Sequence, residues 1–125
     1  MGKLEHVNIS VSNPEKTAAL LQSLFDWKIR WQGPSTLGGH TVHVGSQNDY
    51  VALYCSDKPK PKLKEADRIA GGFNHIGIVV ENLDEIEQRV IDAGLSIHSH
   101  QDYEPGRRFY FCDEDGVEYE VVSYS

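Results

Sequence analysis

Two stretches of this chain, "LEHVNISVSNPE" near its start and "FNHIGIVVENLD" beyond its midpoint, match each other step by step. An internal duplication constrains the fold more than any composition figure, because each copy has to be one supersecondary unit. A step of 69 residues takes His6 to His75, Val7 to Ile76, Ile9 to Ile78, Val11 to Val80, Asn13 to Asn82 and Leu21 to Val90. Toward the ends of the copies the step becomes 67, pairing His43 with Tyr110, Leu53 with Glu120 and Cys55 with Val122, which implies a two-residue difference in loop length.

Periodicity orders the elements within each copy. In "HVNISV" the apolar Val7, Ile9 and Val11 alternate with His6, Asn8 and Ser10, the two-residue repeat of a strand with one dry and one polar face. Asn13 and Pro14 read as a cap and first-turn residue for a helix over about 14–25, with Leu20, Leu21, Leu24 and Phe25 as its apolar stripe and Asp26–Trp27 as its close. The second copy repeats the plan with the strand "HIGIVV", Asn82 and Glu85 as a capping box, the stripe Ile86, Val90 and Ile91, and Gly94 as stop. Three short extended runs then follow in each copy: "WKIRWQ", "HTVHVG" and "DYVALYCS", then "LSIHSH", "RRFYFCD" and "VEYEVVSY". The fold expected is α+β, two tandem βαβββ modules forming a cupped mixed sheet with helices on its outer face.

At 125 residues the chain has room for one domain, with module one over about 3–56, a linker over about 57–72 and module two over about 73–125. The linker "DKPKPKLKEADRIAGG" combines Lys-Pro alternation with paired glycines, and one helical turn is expected near Glu65–Ile69. The net charge of −7 opposes docking on nucleic acid or on an anionic membrane. No apolar run approaches the roughly 20 residues needed to span a bilayer, and "MGKLEHVNIS" lacks the order of a signal peptide, so cytoplasmic residence is expected. Cys55 and Cys112 stand far apart without zinc or redox spacing and read as buried reduced thiols.

Strand parity selects the candidate chemistry. In "VEYEVV" one face carries Glu118, Glu120 and Val122, and a glutamate pointing inward on such a strand requires a cation or hydrogen-bond donors. Two imidazoles at matched steps, His6 and His75, together with the Glu120 carboxylate make a facial triad suited to Fe(II), Mn(II), Zn(II) or Ni(II), with open positions for water or substrate. His43 and Tyr110 are repeat mates beside that site, able to move a proton or hydrogen-bond a substrate oxygen, although plain packing would account for them equally well. Glu118 reads as a rim residue, His98 and His100 as solvated on an edge strand, and His40 as a loop residue. Trp27, Trp31, Phe109 and Phe111 read as core or cavity wall. The stretch "DYEPGRR" reads as a solvated loop, or as a lid whose Arg107 or Arg108 meets an anion.

These residues resemble the vicinal oxygen chelate superfamily, which takes in glyoxalase I, bleomycin-resistance proteins, fosfomycin-resistance thiol transferases and extradiol dioxygenases. The resemblance runs nearly the full length, through "EHVNISV" and "NHIGIVV" opening the modules and "GRRFYFCDEDGVEYEVV" closing the second, with Glu114 where a proline is usual. It implies a divalent metal held by His6, His75 and Glu120, with Leu53 at the fourth ligand position. That leucine departs from glyoxalase I and leaves the triad shared by the dioxygenases and thiol transferases. Both of those groups place a tyrosine where Tyr110 stands. The function implied is a metal-dependent enzyme whose small-molecule substrate chelates the ion through adjacent oxygens; lyase or isomerase, dioxygenase and thiol-transferase chemistry all remain open. The alternative is a metal-free drug-binding protein of bleomycin-resistance type, with Leu53 in the cup. The resemblance further implies a homodimer, in which the site forms within one chain or across two.

Overall fold

Asn13 starts the first helix, because its side-chain oxygen accepts the Lys16 N–H at 3.1 Å and so satisfies one of the donors a helix start leaves open. Pro14 occupies the first turn, and Asp26, left-handed at φ 59°, ends the helix. The computed structural model describes residues 1–36, 38–103 and 106–125. Two compact units emerge, Met1–Lys60 and Pro61–Ser125, corresponding to the two repeats.

Module one runs β1 (His6–Ser10), α1 (Pro14–Phe25), β2 (Lys28–Pro34), β3 (His40–Gly45) and β4 (Tyr50–Cys55). Its sheet order is β1-β4-β3-β2, with β1 parallel to β4 and the other pairs antiparallel. Thr17, Ala18, Leu21 and Leu24 of α1 pack on the face that carries Val42, Val44, Val51 and Leu53.

Module two repeats the plan: β5 (Ile76–Val79), α2 (Leu83–Asp92), β6 (Ile97–Tyr103), β7 (Gly106–Cys112) and β8 (Glu118–Ser123), in the order β5-β8-β7-β6. Leu83, Ile86 and Val90 of α2 pack on the face of Ile78, Phe109, Phe111, Tyr119 and Val121. The architecture is the two-module α+β fold, two four-stranded mixed sheets each carrying one helix. One turn of 3-10 helix, Ala66–Arg68, lies within the linker segment.

Several local expectations change. Asn82 caps α2 through the Glu85 N–H, but the Glu85 carboxylate binds Arg89 at 2.8 Å one turn on, an exposed pairing that displaces the capping-box geometry. Ile91 lies outside the buried stripe, at 49% exposure.

The larger correction concerns register. Parallel pairing sets Ile9 beside Leu53 and Asn8 beside Ala52 in module one, and Ile78 beside Val121 and Gly77 beside Glu120 in module two. The repeat mate of Glu120 is therefore Ala52, not Leu53. The strand step is 68 in β4 and β8, because the hairpin before β8 is one residue longer than the hairpin before β4, whereas His43 and Tyr110 remain mates as the partners of Ala52 and Glu120. A shift of one residue exchanges the faces of a strand. Leu53, 1% exposed, belongs to the core under α1 and lines no cup.

Candidate functional site

On the helix-free face of module two, side-chain alternation gathers Arg108 and Tyr110 of β7 with Glu118 and Glu120 of β8. His75, one residue ahead of β5, reaches the same group, its Nε2 lying 3.0 Å from Glu120 Oε1. Its Nδ1 lies 2.6 Å from the Asn74 side-chain oxygen, while the Asn74 amide nitrogen donates to the Asp67 carbonyl at 3.4 Å. The two ring nitrogens of His75 thus meet the side chains of Asn74 and Glu120. Glu120 is buried, and its other oxygen accepts Arg108 Nη1 at 2.8 Å, with both side chains close to nine-tenths buried. The donor that a buried glutamate requires is thus supplied in part by Arg108. The Tyr110 and His75 rings stand nearly perpendicular, with centroids 5.9 Å apart.

A β-bulge between Ile97 and Ser99 adds His98 to this group. Its Nε2 pairs with Glu118 Oε1 at 2.8 Å and its ring lies 6.5 Å from Tyr110, so Tyr110 has a His–Glu pair on either side. His100 faces the other way, toward Glu87 at 2.8 Å. Burial, followed by the Glu118 charge, pushes the Cys112 thiol up and keeps it protonated rather than nucleophilic.

The equivalent face of module one carries rings instead. His6 stacks on Tyr50 at 4.9 Å, His43 on Tyr50 at 4.6 Å, and Trp31 meets His43 at 5.1 Å. The matching bulge, between Ile29 and Trp31, lets Arg30 lie over the Tyr50 ring at 4.6 Å. His6 Nδ1 donates to Glu5 Oε1 at 2.8 Å, which leaves Nε2 as its free donor atom, and Tyr50 also donates to that oxygen at 3.3 Å. These two donors hold Glu5 below the usual carboxylate range, the His6 bond most strongly. Burial, and then the nearby His6 and Arg30 charges, lower His43, so it is a neutral base at pH 7. His40 pairs with Glu15 at 2.6 Å, away from this stack.

The sequence-predicted residues therefore fall into two groups: His75, Glu120 and Tyr110 in module two, His6 and His43 in module one. The family model for the Glyoxalase/Bleomycin resistance protein/Dioxygenase superfamily matches residues 3–121. The chain belongs to this superfamily. No curated protein matches the sequence. Among solved structures, a glyoxylase/bleomycin resistance protein/dioxygenase domain from Frankia sp. EAN1pec is similar at TM-score 0.83 and 22% identity, over 98% of this chain and 92% of that one. The fosfomycin resistance protein FosX from Listeria monocytogenes, complexed with Mn(II) and sulfate, is similar at TM-score 0.74 and 19% identity, over 100% and 94% of the two chains. Its E126Q mutant, complexed with Mn(II) and 1S,2S-dihydroxypropylphosphonic acid, gives TM-score 0.73 and 20% identity over 98% and 90%. At these identities the likeness is one of fold.

Superfamily membership raises the question of a divalent ion, and His75 Nε2 with Glu120 Oε1 offers two donor atoms of the kinds that bind one, here at the 3.0 Å spacing of an ion pair. Each histidine also meets at Nδ1 the side chain just before it, Glu5 or Asn74, which orients its ring. Module two by itself supplies a pair of donors. Among the described residues no set of three His, Cys, Asp or Glu side chains is gathered about one point.

Four contributors were not placed at these sites from the sequence: Glu5 and Asn74, which were not singled out, and Arg108 and His98, which were given other roles. Glu5 and Asn74 were legible as repeat mates flanking the histidines. Arg108 shares the parity of Tyr110, but its place in a loop-like stretch hid its partner. His98 was hidden by the bulge, because regular alternation gives no sign of one. Of the proposed lid, Glu104 and Pro105 lie outside the described residues, and Arg107 pairs with Asp84 at 3.3 Å.

Proposed function

We propose that this superfamily member is a metal-dependent enzyme acting on a small molecule that chelates the ion through two adjacent oxygens. The observation that carries the reading is the His75–Glu120 pair, in which the Nε2 of a histidine held at its other nitrogen by Asn74 lies 3.0 Å from a buried carboxylate oxygen. His75, Glu120 and, from module one, His6 would hold the ion, with the two modules and their linker acting as one domain of a homodimer. A bound Fe, Mn, Zn or Ni ion would supply Lewis acidity toward the substrate oxygens. His43, neutral at pH 7, accepts a proton from substrate, and Tyr110 donates a hydrogen bond to a substrate oxygen. Glu5 and Asn74 keep the ligating nitrogens aimed. The free cysteines, Cys55 and Cys112, and the absence of any helix long and apolar enough to cross a membrane among the described residues suit work in the cytoplasm.

The test uses protein purified without a metal-affinity tag. Stoichiometric divalent metal, lost together with calorimetric Mn(II) binding in His75→Ala, is the expected result; no metal and no Mn(II) binding in the wild type would reject the reading. A second reading, metal-free sequestration of a planar molecule, is favoured by the Trp31, His43, Tyr50 and His6 ring stack and by the Arg108 contact that already compensates Glu120.

A further inference from the structure

Arg108 raises a question that metal ligation by Glu120 does not answer. The guanidinium lies 2.8 Å from Glu120 Oε2, both side chains nearly excluded from water at 14% and 12% exposure, while Oε1 is the oxygen that meets His75. The two carboxylate oxygens are thus divided between two partners. At the equivalent place in module one, Thr41, the partner of Tyr54, stands where Arg108 partners Val122, and Ala52 stands where Glu120 does. Arginine and glutamate occur together in one module and are both missing from the other, as expected if each compensates the other.

We propose that Arg108 is a positioning residue and the resident cation of the site: it confines Glu120 to one donor oxygen and opposes a divalent ion bound at the other. The inference rests on the metal reading above. Its physics is electrostatic. A unit positive charge fixed beside a carboxylate in a poorly solvated place compensates that carboxylate when no ion is present, and repels a second cation at the far oxygen. The consequence is moderated affinity, with Glu120 unable to close on the ion through both oxygens and one coordination position left for substrate. Arg108 suits this role better than a lysine, because its planar fork holds one oxygen while staying charged throughout the working pH range.

The opposing reading is that Arg108 supports ligation in the ordinary way, orienting Glu120 so that its removal weakens binding. The two readings predict opposite signs. Mn(II) binding by calorimetry and by the loss of the free Mn(II) electron-paramagnetic signal should be about tenfold tighter in Arg108→Met than in wild type. Thermal unfolding without metal should show Arg108→Met destabilised, with a larger Mn(II)-induced rise in Tm than in wild type. Arg108→Lys should restore near wild-type Mn(II) affinity, since it restores the charge. Glu120→Gln combined with Arg108→Met should lose most of the metal-free destabilisation, since no uncompensated carboxylate remains. Equal or weaker Mn(II) binding in Arg108→Met overturns the proposal. If that variant does not fold, Arg108→Gln is measured in its place against the same criterion. Wild-type protein that binds no Mn(II) defeats the metal reading itself, an outcome distinct from unchanged affinity in the variant.

Discussion

Replacing Tyr119 with phenylalanine tests how the strand bearing Glu120 is held in place. Tyr119 is 1% exposed and stacks on Phe111 at 5.0 Å, so the substitution leaves volume and ring packing intact and removes one hydroxyl. That hydroxyl donates to Asp113 Oδ2 at 3.0 Å; Asp113, 8% exposed, also accepts the Asp115 and Val117 N–H groups at 2.9 and 3.0 Å. These three donors close the β7–β8 turn without the proline usual there, and with Gly116 at φ 76° they fix the register that sets Tyr110 opposite Glu120. Losing a hydrogen bond to a buried carboxylate costs about 2 kcal/mol. For a chain of this size that corresponds to a fall in Tm of roughly 6 to 12 °C. Burial raises the Asp113 carboxyl above its usual range, with the three donors pulling the other way. A raised folded-state carboxyl pKa means the folded protein holds its proton to higher pH than the unfolded chain, so stability falls as pH rises from the unfolded value through the folded one. Removing the Tyr119 donor raises the carboxyl further. The Tyr119→Phe penalty should therefore be full at pH 7 and shrink as pH drops through the Asp113 transition. Urea midpoints for wild type and variant between pH 3 and 7, at constant m-value, give the measurement. A loss below about 0.5 kcal/mol at pH 7, or a loss that does not change with pH, would show that the Tyr119–Asp113 bond does not hold this turn.

Two further outcomes are expected. Leu53→Ala should cost about 3 kcal/mol in urea unfolding, because Leu53 lies in the core rather than on the ligand face; a cost below about 1 kcal/mol would return it to the open face. The His43 ring protons should titrate below the ordinary histidine range of about 6.5 in NMR, and Arg30→Gln should move that titration upward by removing a nearby positive charge, a result at odds with an unmoved midpoint.

Helix boundaries, the tandem plan and the flanking caps could all be read from local signals, since Asn13–Pro14, Asn82 and the apolar stripes act within a few residues of themselves. The pairing of His43 with Tyr110 was legible in the same way. The ligand-face assignment in module one was not, since a one-residue difference between two hairpins leaves the composition unchanged and reverses every side chain in β4. His98 escaped for a related reason: a bulge puts neighbouring residues on one face and breaks the period on which the reading relied.

Read along the chain alone, the residues show that two alike units exist, where their helices begin and end, and that His6, His75 and Glu120 bear nitrogen and oxygen donors at repeat-related strands. It took the paired strands to show that Ala52 is the counterpart of Glu120, that Arg108 already compensates that carboxylate, and that Asn74 meets His75 at Nδ1. The division follows from range: capping and periodicity are set by neighbours along the chain, whereas register, burial and charge pairing depend on strands brought together across the sheet.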